Sequence, residues 1–213
     1  MAGRDRLVQH VCNRDLRQMN AVIEPTRHKL SIDDYMRLGE AGVLAPDARV
    51  ELIEGDLIDM PPIGPGHMSV TNRLNRLLIR RAGDGAIVSV AHPMSLPPWS
   101  MPQPDFMLLA PRPDDYASAH PGSADVLLAI EVADSSLRYD RNTKARLYAG
   151  HGVAEYWIVE VGARRLHRFL GPLAADASWA SSETLEAPFS VAPRALPRLV
   201  LRSDEIWPRT VSS

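Results

Sequence analysis

The chain has 213 residues, 45% of them hydrophobic, and a formal net charge of −2, which are typical values for one globular domain with short extensions. The weakly acidic balance argues against a protein that binds nucleic acid without specificity through a uniformly basic surface. The single cysteine excludes a disulfide within the sequence, and no run approaches the roughly 18 consecutive apolar residues of a membrane span, so we expect a cytoplasmic protein.

Secondary-structure signals divide the chain into an N-terminal extension at 1–26, one domain at 27–205 and a tail at 206–213. Helices are predicted at 32–40, 67–82 and 139–151, and strands at 50–54, 57–60, 86–90, 94–96, 105–109, 125–132, 153–159 and 164–170. Residues 171–213 contain several prolines and are expected to form loops with short strands near 199–201 and a small helical segment near 204–207.

The central elements follow the order helix, strand, strand, strand, helix, strand. A chain that mixes helices and strands in this way predicts an α/β fold, with a mixed β-sheet flanked by helices. Two apolar runs that flank Gly55-Asp56 add an N-terminal hairpin, and the strands after the last long helix add a C-terminal β extension.

Two carboxylates lie at the ends of strands that are otherwise aliphatic. Asp105 opens the strand at 105–109, and Glu131 lies near the end of the strand at 125–132. A buried ionised carboxylate costs several kcal/mol unless a cation or hydrogen bonds compensate it. Because adjacent strands are about 4.8 Å apart, acids at matching ends can share one Mg²⁺ or Mn²⁺, with the backbone carbonyl of Val132 as a third ligand. Lys144 could then polarise the attacking water in phosphodiester hydrolysis.

Each of these acids also has an interpretation as an ordinary structural group. Asp105 could be a strand-start acid that accepts hydrogen bonds from backbone N–H groups. Glu131 could form a salt bridge with Arg138 or Arg141. The spacing of the two acids alone does not decide between these interpretations and a metal site.

An ordered set of motifs in the chain resembles a known nuclease family. The segments that carry the resemblance are Pro104-Asp105, Ile130-Glu131-Val132, Asp140-x-x-x-Lys144, the hairpin at 50–56, His67 after the Pro-rich loop, and the strand at 153–159. Together they resemble the Uma2-like family of restriction endonucleases in the PD-(D/E)XK nuclease superfamily, over roughly residues 27–205. The resemblance implies a restriction-endonuclease-like core and a nuclease that binds Mg²⁺ or Mn²⁺ through Asp105, Glu131 and Val132.

The chain departs from the superfamily pattern at one position, that of the lysine. The superfamily pattern places a lysine two residues after the glutamate, where this chain has Ala133. The resemblance to the Uma2-like family assigns the role to Lys144 on the following helix, with Arg138 and Arg141 as rivals. Asp140 could orient Lys144 through an i, i+4 pair, which usually contributes only about 0.3–0.5 kcal/mol.

Two further residues belong to the predicted site. Glu51 lies in the hairpin where the resembled family also has an acid, and it could be an additional ligand of the metal or its water. Its alternative is a cross-strand pair with Arg49 or another surface base. His67 begins the long helix and could contact phosphate or metal-bound water, although a histidine at a helix start is more often a solvated cap. The predicted catalytic set is Asp105, Glu131, Lys144, Glu51 and His67.

Motifs for several other enzyme classes are absent from the sequence. It contains no P-loop, no dinucleotide-binding glycine motif, no H-E-x-x-H and no G-x-S-x-G. The leading hypothesis is a metal-dependent endonuclease that acts on nucleic acid, with DNA as the expected substrate, as a homodimer, since a double-strand cut needs two sites. Arginines on two of the predicted helices could track phosphates. The alternatives are a catalytically inactive nuclease-fold module that binds nucleic acid or protein, and a phosphoesterase for small nucleotides.

Overall fold

The structure is a computed structural model that describes residues 26–45 and 47–208, so nearly all of the predicted extension at 1–26 and the end of the tail at 206–213 lie outside the described residues. The helices in this part of the chain are α1 (Ile32–Glu40), α2 (Pro65–Ala82), α3 (Leu137–Tyr139), α4 (Ala145–Gly150) and α5 (Ser203–Ile206), with a π-helical segment, Asp140–Lys144, between α3 and α4. The strands are β1 (Val50–Ile53), β2 (Asp56–Asp59), β3 (Ile87–Val90), β4 (Phe106–Leu109), β5 (Val126–Ala133), β6 (Glu155–Glu160), β7 (Arg165–Leu173), β8 (Ser178–Glu186), β9 (Ser190–Val191) and β10 (Leu201–Arg202).

A mixed sheet forms the centre of the described domain, with six strands in the order β3-β4-β5-β6-β7-β8. Within it β5 and β6 run parallel, and the other neighbours are antiparallel. Along the chain the order is α2, β3, β4, β5, α3, β6, which matches the predicted order. The prediction of an α/β fold with a mixed sheet flanked by helices is therefore confirmed.

The neighbouring strands β4 and β5 are buried on both faces. Successive side chains of a strand point to opposite faces, so Phe106 packs against α2 on one side, while Met107 packs in the cluster that contains Tyr148 of α4 on the other. Burial of a large apolar side chain contributes about 1.5–3 kcal/mol, and a strand with two buried faces needs such a residue at nearly every position. This explains the continuous aliphatic runs in the sequence and the rigid position of any polar group at their ends.

The N-terminal hairpin of β1 and β2 is present, with its turn one residue earlier than predicted. Ile53 pairs with Asp56, so the two turn residues are Glu54 and Gly55. Both have positive φ, 50° and 87°, as a type I′ hairpin turn requires. All of β1 is buried, which places the carboxylate of Glu51 inside the domain.

The short strand predicted at 94–96 is wrong. This segment instead forms isolated bridges, in which Ser95 contacts Gly122 and Leu96 contacts Ser100. The prolines that directly follow Leu96 have no backbone N–H to extend a ladder, so pairing stops after one bridge.

The C-terminal part of the chain is more regular than predicted. Loops with short strands were expected over 171–213, but β8 is a nine-residue strand along the edge of the sheet. It is mostly exposed and consists largely of Ser, Glu and Thr, so it lacks the apolar alternation that predicts a strand. The short strand and helix expected near 199–207 correspond to β10 and α5.

No helix within residues 26–45 and 47–208 is long and apolar enough to cross a bilayer.

Candidate active site

A cavity of about 470 Å³ lies beside the adjacent ends of β4 and β5. Five of the predicted residues line it, namely Asp105, Glu131, Val132, Lys144 and His67. One wall is the loop that follows β2, residues 60–64, and the other is the segment between β5 and α3, residues 134–136. The fold thus brings together acids, a lysine and a histidine that are widely separated in the sequence.

Asp105 directly precedes β4, and its position is fixed by two hydrogen bonds to one oxygen. Asp105 Oδ2 accepts a bond from the backbone N–H of Val132, 2.8 Å away, and lies 3.1 Å from His67 Nε2. The backbone bond is the one expected if Asp105 is a strand-start acid. However, 19% of the side chain remains exposed at the cavity, so the carboxylate can also accept a ligand.

The carbonyl oxygen of Val132 is placed on the same side of β5 as Asp105. In an extended strand the N–H and C=O of one residue point toward the same neighbour. The Val132 N–H points to Asp105, while the carbonyl of the next residue, Ala133, accepts from Val161 on the opposite side. The predicted backbone ligand therefore faces the carboxylate with which it would share an ion.

Lys144 lies at the centre of a buried ionic cluster. Its Nζ donates hydrogen bonds to Glu131 Oε1 at 2.9 Å and to Glu51 Oε1 at 3.0 Å. The hydroxyl of Tyr148 donates to Glu131 Oε1 at 2.9 Å, and the backbone N–H of Gln103 donates to Glu51 Oε1 at 2.6 Å. Relative exposure is 1% for Lys144, 4% for Glu131 and 0% for Glu51, so all three are withdrawn from bulk water.

Both glutamates form salt bridges, as their structural alternatives predicted, but the partners that were predicted for them are wrong. Glu131 pairs with Lys144, not with Arg138 or Arg141, whose side chains are exposed. Glu51 also pairs with Lys144, whereas Arg49 donates to the carbonyl oxygen of Pro61 at 2.8 Å.

Electrostatics in this cluster favour additional positive charge. Burial lowers the pKa of Lys144, but the charges of Glu131 and Glu51 outweigh it and raise the pKa above its ordinary value. The amine therefore stays protonated at neutral pH and cannot act as a general base. Burial raises the pKa of Glu131 well above its usual range, although Lys144 opposes the shift. Two buried carboxylates share one ammonium, so a proton or a metal ion would balance the remaining negative charge.

His67 is held by the first turns of α2 and is not a solvated cap. Its side chain is 16% exposed, and its Nδ1 lies 3.3 Å from Thr71 Oγ1, one helical turn further along. The hydrogen bond to Asp105 raises the pKa of His67, and burial opposes this shift. The imidazole is therefore hydrogen-bonded directly to the Asp105 carboxylate.

The helix predicted at 139–151 is interrupted at its functional residues. Asp140 and Lys144 are the two ends of the π-helical segment, and both are buried. The Asp140 carboxylate accepts a hydrogen bond from Ser136 Oγ at 2.6 Å, so the predicted i, i+4 pair with Lys144 is replaced by a bond to Ser136. Burial raises the pKa of Asp140 to about 6, against the opposing influences of Lys144 and Ser136. Short π-helical segments occur frequently at functional sites.

Two tyrosines belong to the site and were not among the predicted residues. Tyr148 binds Glu131, and its place four residues after Lys144, on the same face of a helix, is the signal that could have identified it. Tyr139 lines the cavity, and its hydroxyl is buried without a hydrogen-bond partner among the described residues. Burial and the charge of Glu51 raise the pKa of Tyr139 to about 12.

The residues at the cavity suit a hard divalent cation with few protein ligands. Among the described residues, no three His, Cys, Asp or Glu side chains are arranged to hold a metal ion. Two carboxylates and one backbone carbonyl are nevertheless available, because Asp105 Oδ1 and Glu131 Oε2 are outside the hydrogen bonds given above. Mg²⁺ is usually bound by one or two carboxylates and keeps several waters, so this oxygen-donor set fits Mg²⁺ or Mn²⁺.

The α/β fold thus places a cluster of carboxylates and a lysine at the adjacent ends of β4 and β5. The chain matches the model of the family Uma2, described as "Putative restriction endonuclease", over residues 32–203 and therefore belongs to this family. The predicted resemblance to Uma2 is confirmed. Families with the restriction-endonuclease-like fold are generally metal-dependent.

A solved structure supports the fold assignment. The crystal structure of a "putative nuclease belonging to DUF820" from Anabaena variabilis superposes with a TM-score of 0.63 at 16% sequence identity. The match covers 83% of this chain and 97% of that chain, so the shared fold extends over nearly the whole domain. No curated protein is detectably similar to the chain.

Proposed function

We propose that the protein is a metal-dependent endonuclease that hydrolyses phosphodiester bonds of nucleic acid, with DNA as the expected substrate. The observation that carries this proposal is the convergence of Asp105, Glu131, Val132 and Lys144 on one cavity. Membership of a nuclease family supports the same reaction class.

Asp105, Glu131 and the carbonyl of Val132 would hold Mg²⁺ or Mn²⁺ at the adjacent ends of β4 and β5. Such an ion supplies a water of lowered pKa and positive charge beside the phosphoryl oxygens. The protein's part is to fix the ligands. Asp105 is held by the Val132 N–H and by His67, and Glu131 is held by Lys144 and Tyr148.

Lys144 would act as a fixed cation in this reaction. An ammonium has three N–H donors, and two of them bind Glu131 and Glu51. The third is available to the attacking water or to a phosphoryl oxygen, where a positive charge in a water-poor site stabilises the developing negative charge. Burial lowers the pKa of Lys144, but the charges of Glu131 and Glu51 raise it overall, which favours the ammonium form that this role needs.

Glu51 and His67 would serve as positioning residues. Glu51 is fully buried, does not line the cavity and binds the ammonium of Lys144, so we assign it to holding Lys144 instead of the metal. His67 contacts the oxygen of Asp105 that also accepts the Val132 N–H. Partners of this kind orient metal ligands, and their loss typically costs 10–100-fold in affinity or activity.

Cleavage of plasmid and oligonucleotide DNA with Mg²⁺ or Mn²⁺ tests the proposal. Wild type should cleave and lose activity with a chelator, and Asp105→Asn and Glu131→Gln should reduce the rate by at least about 100-fold. Asp84→Asn is the matched control, because Asp84 is an exposed aspartate outside the cavity. Cleavage that survives both substitutions in the cavity would remove the assignment.

A catalytically inactive module that binds nucleic acid or protein is the second candidate. The observation in its favour is that Glu131 and Asp105 already have positively charged or hydrogen-bonding partners inside the protein. Calorimetry with Mn²⁺ separates the two candidates, since the module predicts no binding. Mn²⁺ binding by wild type that is lost in Glu131→Gln would count against the module. The homodimer expected for double-strand cleavage stays a prediction that sedimentation can test.

A further inference from the structure

The reactive groups of the site lie in a recess between two walls. Glu131 is 4% exposed and Lys144 is 1% exposed, and only Asp105 among these three has appreciable contact with solvent. A substrate phosphate must therefore enter the cavity to reach them. On this basis, and resting on the proposed function, we propose that the enzyme takes an unstacked nucleotide, so that it cleaves single-stranded or unpaired DNA in preference to an intact duplex.

The size of the recess is the first argument. A cavity of about 470 Å³ lies within the range of about 300–1,000 Å³ that holds single small molecules, and one nucleotide is a ligand of this class. The backbone of an intact duplex lies on the outside of a stiff rod, with a persistence length of about 50 nm, and does not bend into a pocket of this size. Enzymes that act on a base inside such pockets use single strands or flip the nucleotide out of the stack, and a nucleotide that enters this recess would need the same freedom.

The rim of the cavity supplies a second, independent argument. The loop after β2 places Pro61, Pro62 and Ile63 at the opening, and the side chain of Ile63 is 54% exposed. Because Ile63 is both exposed and part of the cavity lining, on a loop stiffened by two prolines, its side chain is free to contact a ligand that enters there. Apolar residues of this type are inserted between base steps by proteins that unstack nucleic acid. Tyr139 also lines the cavity, and an unstacked base could stack against its ring.

The charges at the rim of the cavity favour contact with one phosphate over contact with the many phosphates of a duplex. Arg49 lines the cavity with an exposed guanidinium that uses Nη1 to bind the Pro61 carbonyl, and its remaining N–H groups can bind a phosphate. Asp59 and Asp134 line the same opening and are exposed. Two acids beside one arginine would oppose the many phosphate contacts of a duplex footprint, whereas Arg49 can serve a single phosphate.

Four substrates test the preference. They are a labelled single-stranded oligodeoxynucleotide, the same strand in a full duplex, that duplex with one unpaired nucleotide, and bis(p-nitrophenyl) phosphate as a phosphodiester without base stacking. With Mn²⁺, kcat/KM for the single strand and for the unpaired site should exceed that for the full duplex by at least about tenfold. A full duplex cleaved as fast as the single strand would overturn the inference and leave the nuclease function intact. If none of the four substrates is hydrolysed, the proposed function itself is overturned.

Substitution of the exposed isoleucine tests the rim directly. Ile63→Ala should lower kcat/KM for the duplex with one unpaired nucleotide by about tenfold, because the apolar insertion is lost. Ile79→Ala is the matched control, since Ile79 is 57% exposed on α2 and does not line the cavity. Equal activity of the two variants on the unpaired substrate would contradict the assigned role of Ile63.

Discussion

Lys144 Nζ lies 2.9 Å from Glu131 Oε1, with side-chain exposures of only 1% and 5%, although the two residues are on different elements. In the superfamily pattern the lysine follows the glutamate by two residues on the same strand, and this chain has Ala133 there. Ala133 is fully buried on the face of β5 that packs against α4. The small side chain leaves space on that face, so the ammonium can enter from the π-helical segment and reach the same carboxylate.

Removal of this ammonium should destabilise the protein. Lys144→Met keeps an unbranched side chain of similar length but leaves Glu51 and Glu131 buried without their cation. Breaking a buried ion pair on one side costs about 3–5 kcal/mol, and we expect a loss of this size in the free energy of unfolding. Urea unfolding with a chelator present measures it.

The exposed lysine of the chain provides the control for this change. Lys29→Met should alter the free energy of unfolding by no more than about 0.5 kcal/mol. In the Lys144→Met background, Glu51→Gln with Glu131→Gln should recover most of the lost stability, because the uncompensated charges are removed together. A Lys144→Met protein as stable as Lys29→Met would show that the cluster is not ionised as described.

Removal of the imidazole beside Asp105 should weaken the site without destroying it. His67→Ala deletes one of the two hydrogen bonds to Asp105 Oδ2, and the bond from the Val132 N–H remains. We expect a 10–100-fold loss of Mn²⁺ affinity in calorimetry, the range typical of partners that orient a metal ligand. Thr71→Val removes only the contact to His67 Nδ1 and should cost much less. A full loss of binding in His67→Ala would instead indicate that His67 is itself a ligand.

Asp140 should make stability fall as the pH rises. Burial raises its pKa to about 6 from the ordinary 3.8, so the folded state binds the proton more tightly than the unfolded state. Its contribution is therefore complete below pH of about 4 and is lost as the pH rises through about 6. A difference of about 2 units corresponds to about 3 kcal/mol.

The measurement for Asp140 compares urea unfolding at pH 4.5 and 7.5 in the presence of a chelator. Asp140→Asn keeps an oxygen that accepts from Ser136 but does not titrate, so it should gain up to about 3 kcal/mol over wild type at pH 7.5 and little at pH 4.5. Asp84→Asn, an exposed change, should leave the difference between the two pH values as in wild type. A gain for Asp140→Asn that is the same at both pH values would contradict the raised pKa.

The parts of the fold with the strongest burial were the ones that the sequence could predict. β4 and β5 are aliphatic because they are buried on both faces, and their runs are unambiguous. β8 could not be identified in the same way, because an exposed edge strand of Ser, Glu and Thr is held by backbone pairing with β7, which leaves no pattern in residue type.

The sequence predicted most residues of the site, but it did not predict which of them are buried or how they pair. Asp105, Glu131 and Lys144 do meet at one cavity. The sequence left the position of Glu51 open, because a hairpin next to a Pro-rich loop reads as a surface element, whereas β1 is fully buried. The π-helical segment was also not predictable, because the sequence of residues 140–144 carries no pattern that distinguishes a π-helical turn from an α-helical one.

The hairpin turn should tolerate no side chain at Gly55, whereas Gly39, an exposed glycine in α1, should accept one. Gly55 has a φ of +87°, and a Cβ there would lie 2.6 Å from Lys29 Cβ, so Gly55→Ala combines backbone strain with a clash. We expect a loss of about 1–3 kcal/mol and a lower Tm. Gly39→Ala in α1 meets nothing within 4 Å and should instead stabilise the protein by about 0.5 kcal/mol, because alanine favours the helix. Since β1 carries Glu51, the strain in Gly55→Ala should also loosen Lys144, and hydrogen exchange of β1 that stays as slow as in wild type would refute that coupling.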